Sequence, residues 1–194
     1  MDVLDAKSTT PMEGGPSFSL WNRLFRVGWG VTWGLLASWT PPFMHPWRRF
    51  LLRSFGAKVA GTAGIYGSAR IWYPPNLEIG EHAYIGPRVN VYCMAKITFG
   101  AYSLASQGAH ICAGSHDVDD FNFQLRAKPI EIGAQAWVAA EAFVGPGVTI
   151  GEGAVLGARA CAFRDLEAWV VYSGNPAQPL RERKYHPRTP TKPC

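Results

Sequence analysis

The stretch from Ile132 to Glu167 reads IGAQAW VAAEAF VGPGVT IGEGAV LGARAC AFRDLE, a pattern that repeats every six residues. An aliphatic residue or Ala opens every block, and a small residue usually stands fifth. This period fits neither a lone helix, with 3.6 residues per turn, nor a lone strand, with a period of about 2. It is typical of a chain that winds in short, equal sides, and three such sides predict a triangular coil of about 18 residues.

The same register extends backwards from Ile132, across a polar interruption, through the first half of the chain. Its spacing is two residues too long between 71 and 79 and again between 91 and 99. One coil cannot bury its own aliphatic face, whereas stacked coils cover one another, so the ladder predicts a solenoid core. Twelve of the fifteen opening residues are Val, Ile or Leu, which a random sequence would not give. The predicted ladder consists of Val59, Ile65, Ile71, Ile79, Ile85, Val91, Phe99, Ala105, Ile111, Ile132, Val138, Val144, Ile150, Leu156 and Ala162.

The composition narrows the class of protein. With 194 residues the chain allows one domain plus appendages, and 47% hydrophobic residues, 21 Gly and 15 Pro favour a turn-rich globular fold. The net charge of +5 indicates an anionic partner. Arg and Lys do not alternate with aromatic residues along the ladder, so no nucleic-acid partner is predicted. The four cysteines lack zinc-like spacing and indicate small core residues and a tail thiol in a reducing compartment. They are Cys93, Cys112, Cys161 and Cys194.

Residues 18–57 are predicted to form a helical N-terminal cap, preceded by a disordered N-terminus at residues 1–17. Three interpretations apply to the Trp-rich helix: it packs over the first coil, it contacts a membrane peripherally through residues 18–53, or it spans the membrane. Three glycines and the Pro41-Pro42 stop disfavour the span. In the peripheral case Arg23, Arg26, Arg48, Arg49 and Arg53 would meet anionic headgroups. The predicted apolar face consists of Trp21, Leu24, Phe25, Trp29, Thr32, Trp33 and Leu36.

The remaining boundaries follow from where the period starts and stops. The solenoid is predicted over residues 58–167, with an extended loop at 114–129. Residues 168–194 lose the period and are predicted to form a short basic C-terminal helix and a Pro-rich tail.

The polar interruption begins Gly114-Ser115-His116-Asp117, and we expect the chemistry there, because a long insertion inside a strict repeat is usually functional. A neutral imidazole can take a proton from a hydroxyl at cytosolic pH, as acyl transfer from a thioester requires. A loop histidine that bonds its own turn is the structural alternative for His116.

The segment GSHD, followed by KPIEIGAQAWVAAEAFVGPGVTIGEGAVLGARA and then SGNPA, resembles the maltose/galactoside group of hexapeptide-repeat acetyltransferases. The likeness extends to the sugar acetyltransferases of colanic-acid-type exopolysaccharide biosynthesis and covers roughly residues 46–184. It implies an all-β fold, a left-handed parallel β-helix; the general rule for parallel crossovers would predict the opposite hand. It also implies a cytoplasmic homotrimer with each active site between two subunits.

The same resemblance implies acetyl-CoA-dependent O-acetylation of a sugar or lipid-linked glycan, without a metal, by direct attack in a ternary complex. His116 matches the general base of the family. Asp117 would either orient the imidazole or bond the turn backbone. A backbone N–H would bind the oxyanion.

Residue-by-residue comparison with the family also implies a coenzyme A site. Ala140 and Ala158 stand where the pantetheine arm is contacted. Arg164 replaces a family Lys near the nucleotide, and Arg181 matches a C-terminal basic contact. The alternative for both arginines is a solvated surface charge.

The acceptor side departs from the family. Gly86 and Met94 occupy the positions of an Asn and an Asp that hold the sugar in the galactoside enzymes, so the identity of the acceptor does not carry over. Asn90 and Tyr92 could replace those groups, or they could be ordinary solenoid surface.

Features of two other classes of protein are also present in the sequence. A zinc enzyme like the gamma-class carbonic anhydrases would need His82, His110 and His116 to converge, but six residues between the last two put them on different sides of the triangle. A non-catalytic scaffold would not need the GSHD insertion. A nucleophilic Cys112 has no evident base beside it.

Overall fold

The computed structural model describes Met12 and residues 16–184 of the chain, so much of the predicted disordered N-terminus and residues 185–194 lie outside the described residues. Strands of two to four residues form the three sides of a solenoid. The first side contains β1 (Lys58–Val59), β4 (Leu77–Ile79), β7 (Ile97–Phe99), β12 (Ile130–Ile132) and β15 (Thr149–Ile150). The second contains β2 (Gly64–Ile65), β5 (Tyr84–Ile85), β8 (Leu104–Ala105), β13 (Trp137–Val138), β16 (Val155–Leu156) and β18 (Val170–Ser173). The third contains β3 (Arg70–Ile71), β6 (Asn90–Tyr92), β9 (His110–Cys112), β14 (Phe143–Val144) and β17 (Cys161–Ala162). This stack of parallel strands is the predicted left-handed β-helix.

The hexapeptide ladder is confirmed in its register. Opening residues of successive coils pair directly on each side, as Val59 does with Ile79 and Ile79 with Phe99. All fifteen opening residues are buried in one continuous core. The small residues that follow them at the corners are needed because neighbouring coils approach closely: a Cβ added to Gly133 would lie 2.7 Å from the backbone nitrogen of Glu152. Any side chain there would force the coils apart.

Two helices cover the open end of the first coil. Because the N–H groups of this coil donate to the second coil, its carbonyl groups point the other way, toward α1 (Leu20–Leu36) and α2 (His45–Ser54). Indole N–H groups of α1 cap three of these carbonyls: Trp29 donates to Ile71 (2.7 Å), and Trp33 donates to Gly67 and Ala69 (3.0 Å each). The edge of the sheet is therefore satisfied by side chains instead of by another strand.

Arginines of α2 cap the remaining part of this edge. The buried guanidinium of Arg48 donates to Ile65 O (2.8 Å), Arg49 donates to Ala63 O (2.8 Å), and Arg53 donates to Val59 O (2.8 Å). Five arginines were predicted to contact anionic lipid headgroups in the case of a peripheral membrane contact. Three of them therefore bind carbonyl groups of the first coil.

The predicted apolar face of α1 is only partly correct. Trp29 and Trp33 are buried, but Trp21, Leu24 and Leu36 are exposed. The buried face also includes Asn22, which the prediction omitted. The helix is apolar on most of its circumference, so periodicity alone does not define the buried face; the indole donors of Trp29 and Trp33 orient it. No helix in the described part of the chain is long and apolar enough to cross a membrane.

The predicted C-terminal helix is wrong for the described residues. After β18 the chain turns at Gly174-Asn175-Pro176 and returns as β19 (Gln178–Glu182), antiparallel to β18. The β-branched and aromatic residues of β18 continue the second side through pairing with β16, and this new edge then binds the basic segment as a strand.

Candidate active site

The polar interruption folds as an antiparallel hairpin of β10 (Gly114–His116) and β11 (Leu125–Ala127). It begins two residues after β9, and its base is closed by the bond from Lys128 N to Ala113 O at 3.0 Å. His116 pairs with Leu125 at the outer end of the hairpin. The hairpin therefore carries His116 away from the solenoid corner into solvent.

The imidazole of His116 is held by the main chain of its own hairpin. Its Nδ1 lies 2.7 Å from the carbonyl oxygen of Phe123. A carbonyl oxygen can only accept, so Nδ1 carries a hydrogen, and Nε2 is the nitrogen that holds the lone pair in the neutral form of the ring. Phe123 itself has a φ of 50°, and its N–H donates to Asp120 O at 2.9 Å, so the turn that presents the acceptor is itself bonded. The arrangement leaves an exposed histidine that is fixed to its own hairpin through Nδ1.

Asp117 stabilises the hairpin through an ion pair and two hydrogen bonds. Its carboxylate forms an ion pair with Arg126 on the facing strand and accepts from the N–H of Asp119 at 3.3 Å. Its own N–H donates to Gln124 O at 2.8 Å. Of the two roles considered for Asp117, these partners favour the structural one.

The four residues assigned to the donor occupy different parts of the triangle. Ala140 and Ala158 are neighbours in successive coils, linked by the bond from Arg159 N to Ala140 O at 2.9 Å, at the corner between the second and third sides. Arg164 follows β17 at the next corner, and Arg181 lies on β19, where its Nη1 donates to Glu182 O at 2.9 Å. The structure does not bring the four together within one chain.

Arg164 lines an open cavity of about 410 Å³ at the C-terminal end of the solenoid. Tyr172, Pro176 and Gln178 also line this cavity. A guanidinium beside an amide in an open cavity can bind a phosphate group.

Asn90 and Tyr92 lie on the outer surface of the third side. The Asn90 amide nitrogen is 3.2 Å from His110 Nε2, and the Tyr92 ring packs against Trp72 at 5.3 Å between centroids. Burial raises the pKa of the Tyr92 hydroxyl and lowers the pKa of His110. The His110 ring in turn meets Phe143 edge-on at 5.5 Å.

The sequence analysis assigned neither Trp72 nor Phe143 to a site and considered His110 only as a zinc ligand. A signal was available for His110 and Phe143, because each residue that precedes an opening residue points outward on the same side of successive coils. Arg70, Asn90, His110, Phe143 and Cys161 form such a row by register.

The zinc alternative finds no support in the geometry. His82 stacks on Tyr102 at 4.8 Å, while His110 lies on the third side and His116 on the hairpin. Within residues 16–184, no three or more His, Cys, Asp or Glu side chains are grouped to hold a metal ion. Cys112 donates to Gly114 O at 3.2 Å, and burial raises the pKa of the Cys93 thiol to about 12, so Cys93 is not a ready nucleophile.

Comparison with known proteins shows that the chain is similar to acetyltransferases. No protein-family model matches the chain. The chain is 45% identical over 155 residues to the colanic acid biosynthesis acetyltransferase WcaF of Escherichia coli strain K12, covering 80% of this chain and 85% of that protein. It superposes on galactoside acetyltransferase in complex with coenzyme A with a TM-score of 0.77 at 21% identity, covering 92% of each chain. It superposes on the hexapeptide-repeat acetyltransferase VCA0836 of Vibrio cholerae with acetyl-CoA with a TM-score of 0.74 at 24% identity, covering 86% of this chain and 91% of the other.

Proposed function

The chain belongs to the family of hexapeptide-repeat acetyltransferases that includes WcaF, and from that premise we propose that it transfers an acetyl group from acetyl-CoA to a sugar hydroxyl in exopolysaccharide or surface-glycan synthesis. The identity of 45% over 85% of WcaF is the observation that carries the proposal. The hairpin histidine, held with Nε2 free, supplies the base that such a reaction needs.

His116 acts as the general base. Its Nε2 removes the proton of the sugar hydroxyl while the hydroxyl oxygen attacks the thioester carbonyl carbon. The tetrahedral intermediate collapses with cleavage of the carbon–sulfur bond, and the imidazolium returns its proton to the departing thiolate. The products are the sugar ester and free coenzyme A. Asp117 contributes by fixing the hairpin through Arg126.

The donor lies between two subunits of a homotrimer. The separation of Ala140 and Ala158 from Arg164 and Arg181 within one chain supports this, because residues at different corners can line one groove when two solenoids pack side by side. Ala140 and Ala158 leave room for the pantetheine arm. Arg164 binds the nucleotide phosphates from its open cavity, and Arg181 adds a second positive charge.

The acceptor is a sugar carried on a nucleotide or on a lipid. Asn90 and Tyr92 bind it on the third side, where an amide and a half-buried phenol stand beside aromatic rings. We place the enzyme in the cytoplasm, at the inner face of the membrane through residues 18–53.

A transfer assay tests the proposal. Purified protein is incubated with acetyl-CoA labelled in the acetyl group and with nucleotide sugars or polyprenyl-linked glycans, and both thiol release and label in the glycan are measured. We expect both signals to rise together with one class of acceptor, and analytical ultracentrifugation to give a trimer. Thiol release that is independent of every acceptor, or its absence throughout, contradicts the proposal and favours the scaffold alternative.

A further inference from the structure

Helix α1 has a second apolar face that no described residue of the chain covers. Leu20, Leu24, Val27, Val31 and Leu35 recur at spacings of three and four residues, so they lie along one side of the helix. Each is between 56% and 67% exposed. We call these five residues the outer face of α1; it lies opposite the side that Trp29 and Trp33 bury.

Packing among residues 16–184 does not account for this outer face. A Cβ added to Gly28, Gly30 or Gly34 would meet no atom within 4 Å, so open space surrounds the helix on that side. Trp21 and Trp39 flank it and are also exposed. Monomeric soluble proteins seldom expose so long an apolar strip, which marks an interaction surface.

The segment that contains the outer face carries charge of one sign. Residues 16–77 contain Arg23, Arg26, Arg48, Arg49, Arg53, Lys58 and Arg70 and no Asp or Glu. Hydrogen bonds from α2 arginines to carbonyl groups leave their positive charge in place. Of these cations, Lys58 is paired with Glu78, which lies beyond the segment. An apolar strip in a positive field complements an anionic amphipathic partner and repels a second copy of itself.

We propose that the outer face of α1 inserts into the surface of an anionic phospholipid bilayer, with the helix lying in the plane of the interface. This inference rests on the peripheral contact proposed above and names the face and the lipid. Leucine and valine in an unbroken row, tryptophan at both ends and arginine at the margin are the composition of an interfacial helix.

The inner side of the same helix connects this surface to the candidate acceptor site. The Arg26 guanidinium lies 4.4 Å from the Trp72 ring centroid, and Trp72 packs against Tyr92 at 5.3 Å. One helix diameter, roughly 10 Å, plus these two contacts places the acceptor surface within roughly 20 Å of the proposed bilayer contact. A glycan on a lipid carrier could reach it without leaving the membrane.

Vesicle co-sedimentation tests the inference with the full chain. We compare vesicles of phosphatidylcholine alone with vesicles of equal parts phosphatidylcholine and phosphatidylglycerol.

Three variants separate the apolar contribution from the charge. The double variant Leu24→Glu/Val31→Glu places carboxylates on the outer face, whereas Leu24→Lys/Val31→Lys removes the apolar groups but keeps the attraction to anionic lipid. Leu180→Glu is the control at an exposed apolar position on β19. The native chain and Leu180→Glu should bind the anionic vesicles about tenfold more tightly than the neutral ones, and the Glu variant should lose at least about tenfold. The Lys variant should fall between them.

Acetyl transfer to a soluble sugar and melting temperature, measured on the same variants, separate this inference from the proposed function. Both should stay close to native in the Glu variant, because its positions contact solvent. Equal sedimentation of the native chain and the Glu variant, or no sedimentation of either, overturns the bilayer contact. A Glu variant that dissociates an oligomer assigns the face to another copy and also overturns it. Absent transfer by the native chain to any acceptor, with vesicle binding intact, contradicts the proposed function instead.

Discussion

His116 Nδ1 and the carbonyl oxygen of Phe123 are 2.7 Å apart, across the end of the β10–β11 hairpin. The group that fixes the tautomer of the histidine is thus a main-chain carbonyl, although a carboxylate, Asp117, is next in sequence. A carbonyl cannot take up the proton or change its charge. The orientation of the proposed base therefore depends on the conformation of the hairpin, and Asp117 stabilises that conformation through Arg126.

Replacing the histidine tests the role of the imidazole. His116→Ala should lower kcat about 10²- to 10⁴-fold, because no other base takes the hydroxyl proton. The melting temperature should change little, since the side chain is exposed. Steady-state thiol release and thermal denaturation measure the two effects. Phe123→Asn is the matched control: it removes the ring but keeps the carbonyl, and Asn tolerates a positive φ, so activity should stay within roughly fivefold. Full turnover by His116→Ala would remove this histidine from the mechanism.

The ion pair across the hairpin gives a second prediction. Asp117→Asn and Arg126→Gln should each lower kcat by no more than about fivefold, because an exposed ion pair contributes at most about 1 kcal/mol to the hairpin. The double variant should resemble either single variant, since both remove the same interaction. The kcat values of the native chain and the three variants form a double-mutant cycle that measures this interaction. A loss with Asp117→Asn as large as that of His116→Ala, with Arg126→Gln near native, would mean that the carboxylate acts on the imidazole directly.

The solenoid was predictable because its determinant is local and repeated. Each opening residue needs only to be apolar and to recur in step, so Val59, Ile79 and Phe99 could be aligned from the sequence. The interruption was visible for the same reason, as a break in a strict period. His116 remains a predicted base, proposed because GSHD stands at the start of this interruption.

Other features depend on distant partners that a period does not encode. The carbonyls that Arg48, Trp29 and Trp33 cap belong to a coil 17 to 42 residues further along the chain. The basic segment at 178–182 was predicted to be helical from its own composition, whereas the free edge of β18 decides its conformation. The orientation of the His116 imidazole likewise depends on a carbonyl group seven residues away, that of Phe123 in the turn of the hairpin.

Arg48 should be a major determinant of stability. Its guanidinium is fully buried and donates to Thr40 Oγ1 (3.0 Å), Pro42 O (3.1 Å) and Ile65 O (2.8 Å). Arg48→Met leaves these acceptors unsatisfied and should lower the free energy of unfolding by roughly 3 kcal/mol or more. Urea denaturation at fixed protein concentration measures it. Arg23→Met, on the exposed side of α1, should change stability by less than about 0.5 kcal/mol. Equal effects of the two would mean that carbonyl capping contributes nothing.

Arg164 should act on donor binding. Arg164→Ala should raise the KM for acetyl-CoA about tenfold, the worth of one charge-assisted phosphate contact, with kcat nearly unchanged. Arg164→Lys should recover most of the loss, because it keeps the charge. Kinetics with acetyl-CoA as the varied substrate measure both, and Arg23→Ala is the control for loss of a surface charge. A native KM in Arg164→Ala would assign this arginine to the solvated surface.

Stability should fall in mildly acidic solution because of two histidines. Burial lowers the pKa of His45, and the nearby guanidinium groups of Arg48 and Arg49 act in the same direction; burial also lowers the pKa of His110. His45 Nδ1 lies 3.1 Å from Ile65 N and 2.9 Å from Ile65 O; the contact with the carbonyl oxygen raises the pKa, but burial has the larger effect.

The unfolded chain, whose histidines titrate near 6.5, therefore binds more protons than the folded chain below that pH. Stability is fully present above pH 6.5 and is lost as pH falls toward the lower folded values. Melting temperatures from pH 7.5 to 5 should show this decline, and it should be shallower in His45→Gln and shallower still in His45→Gln/His110→Gln. An unchanged slope in the double variant would assign the decline to other groups.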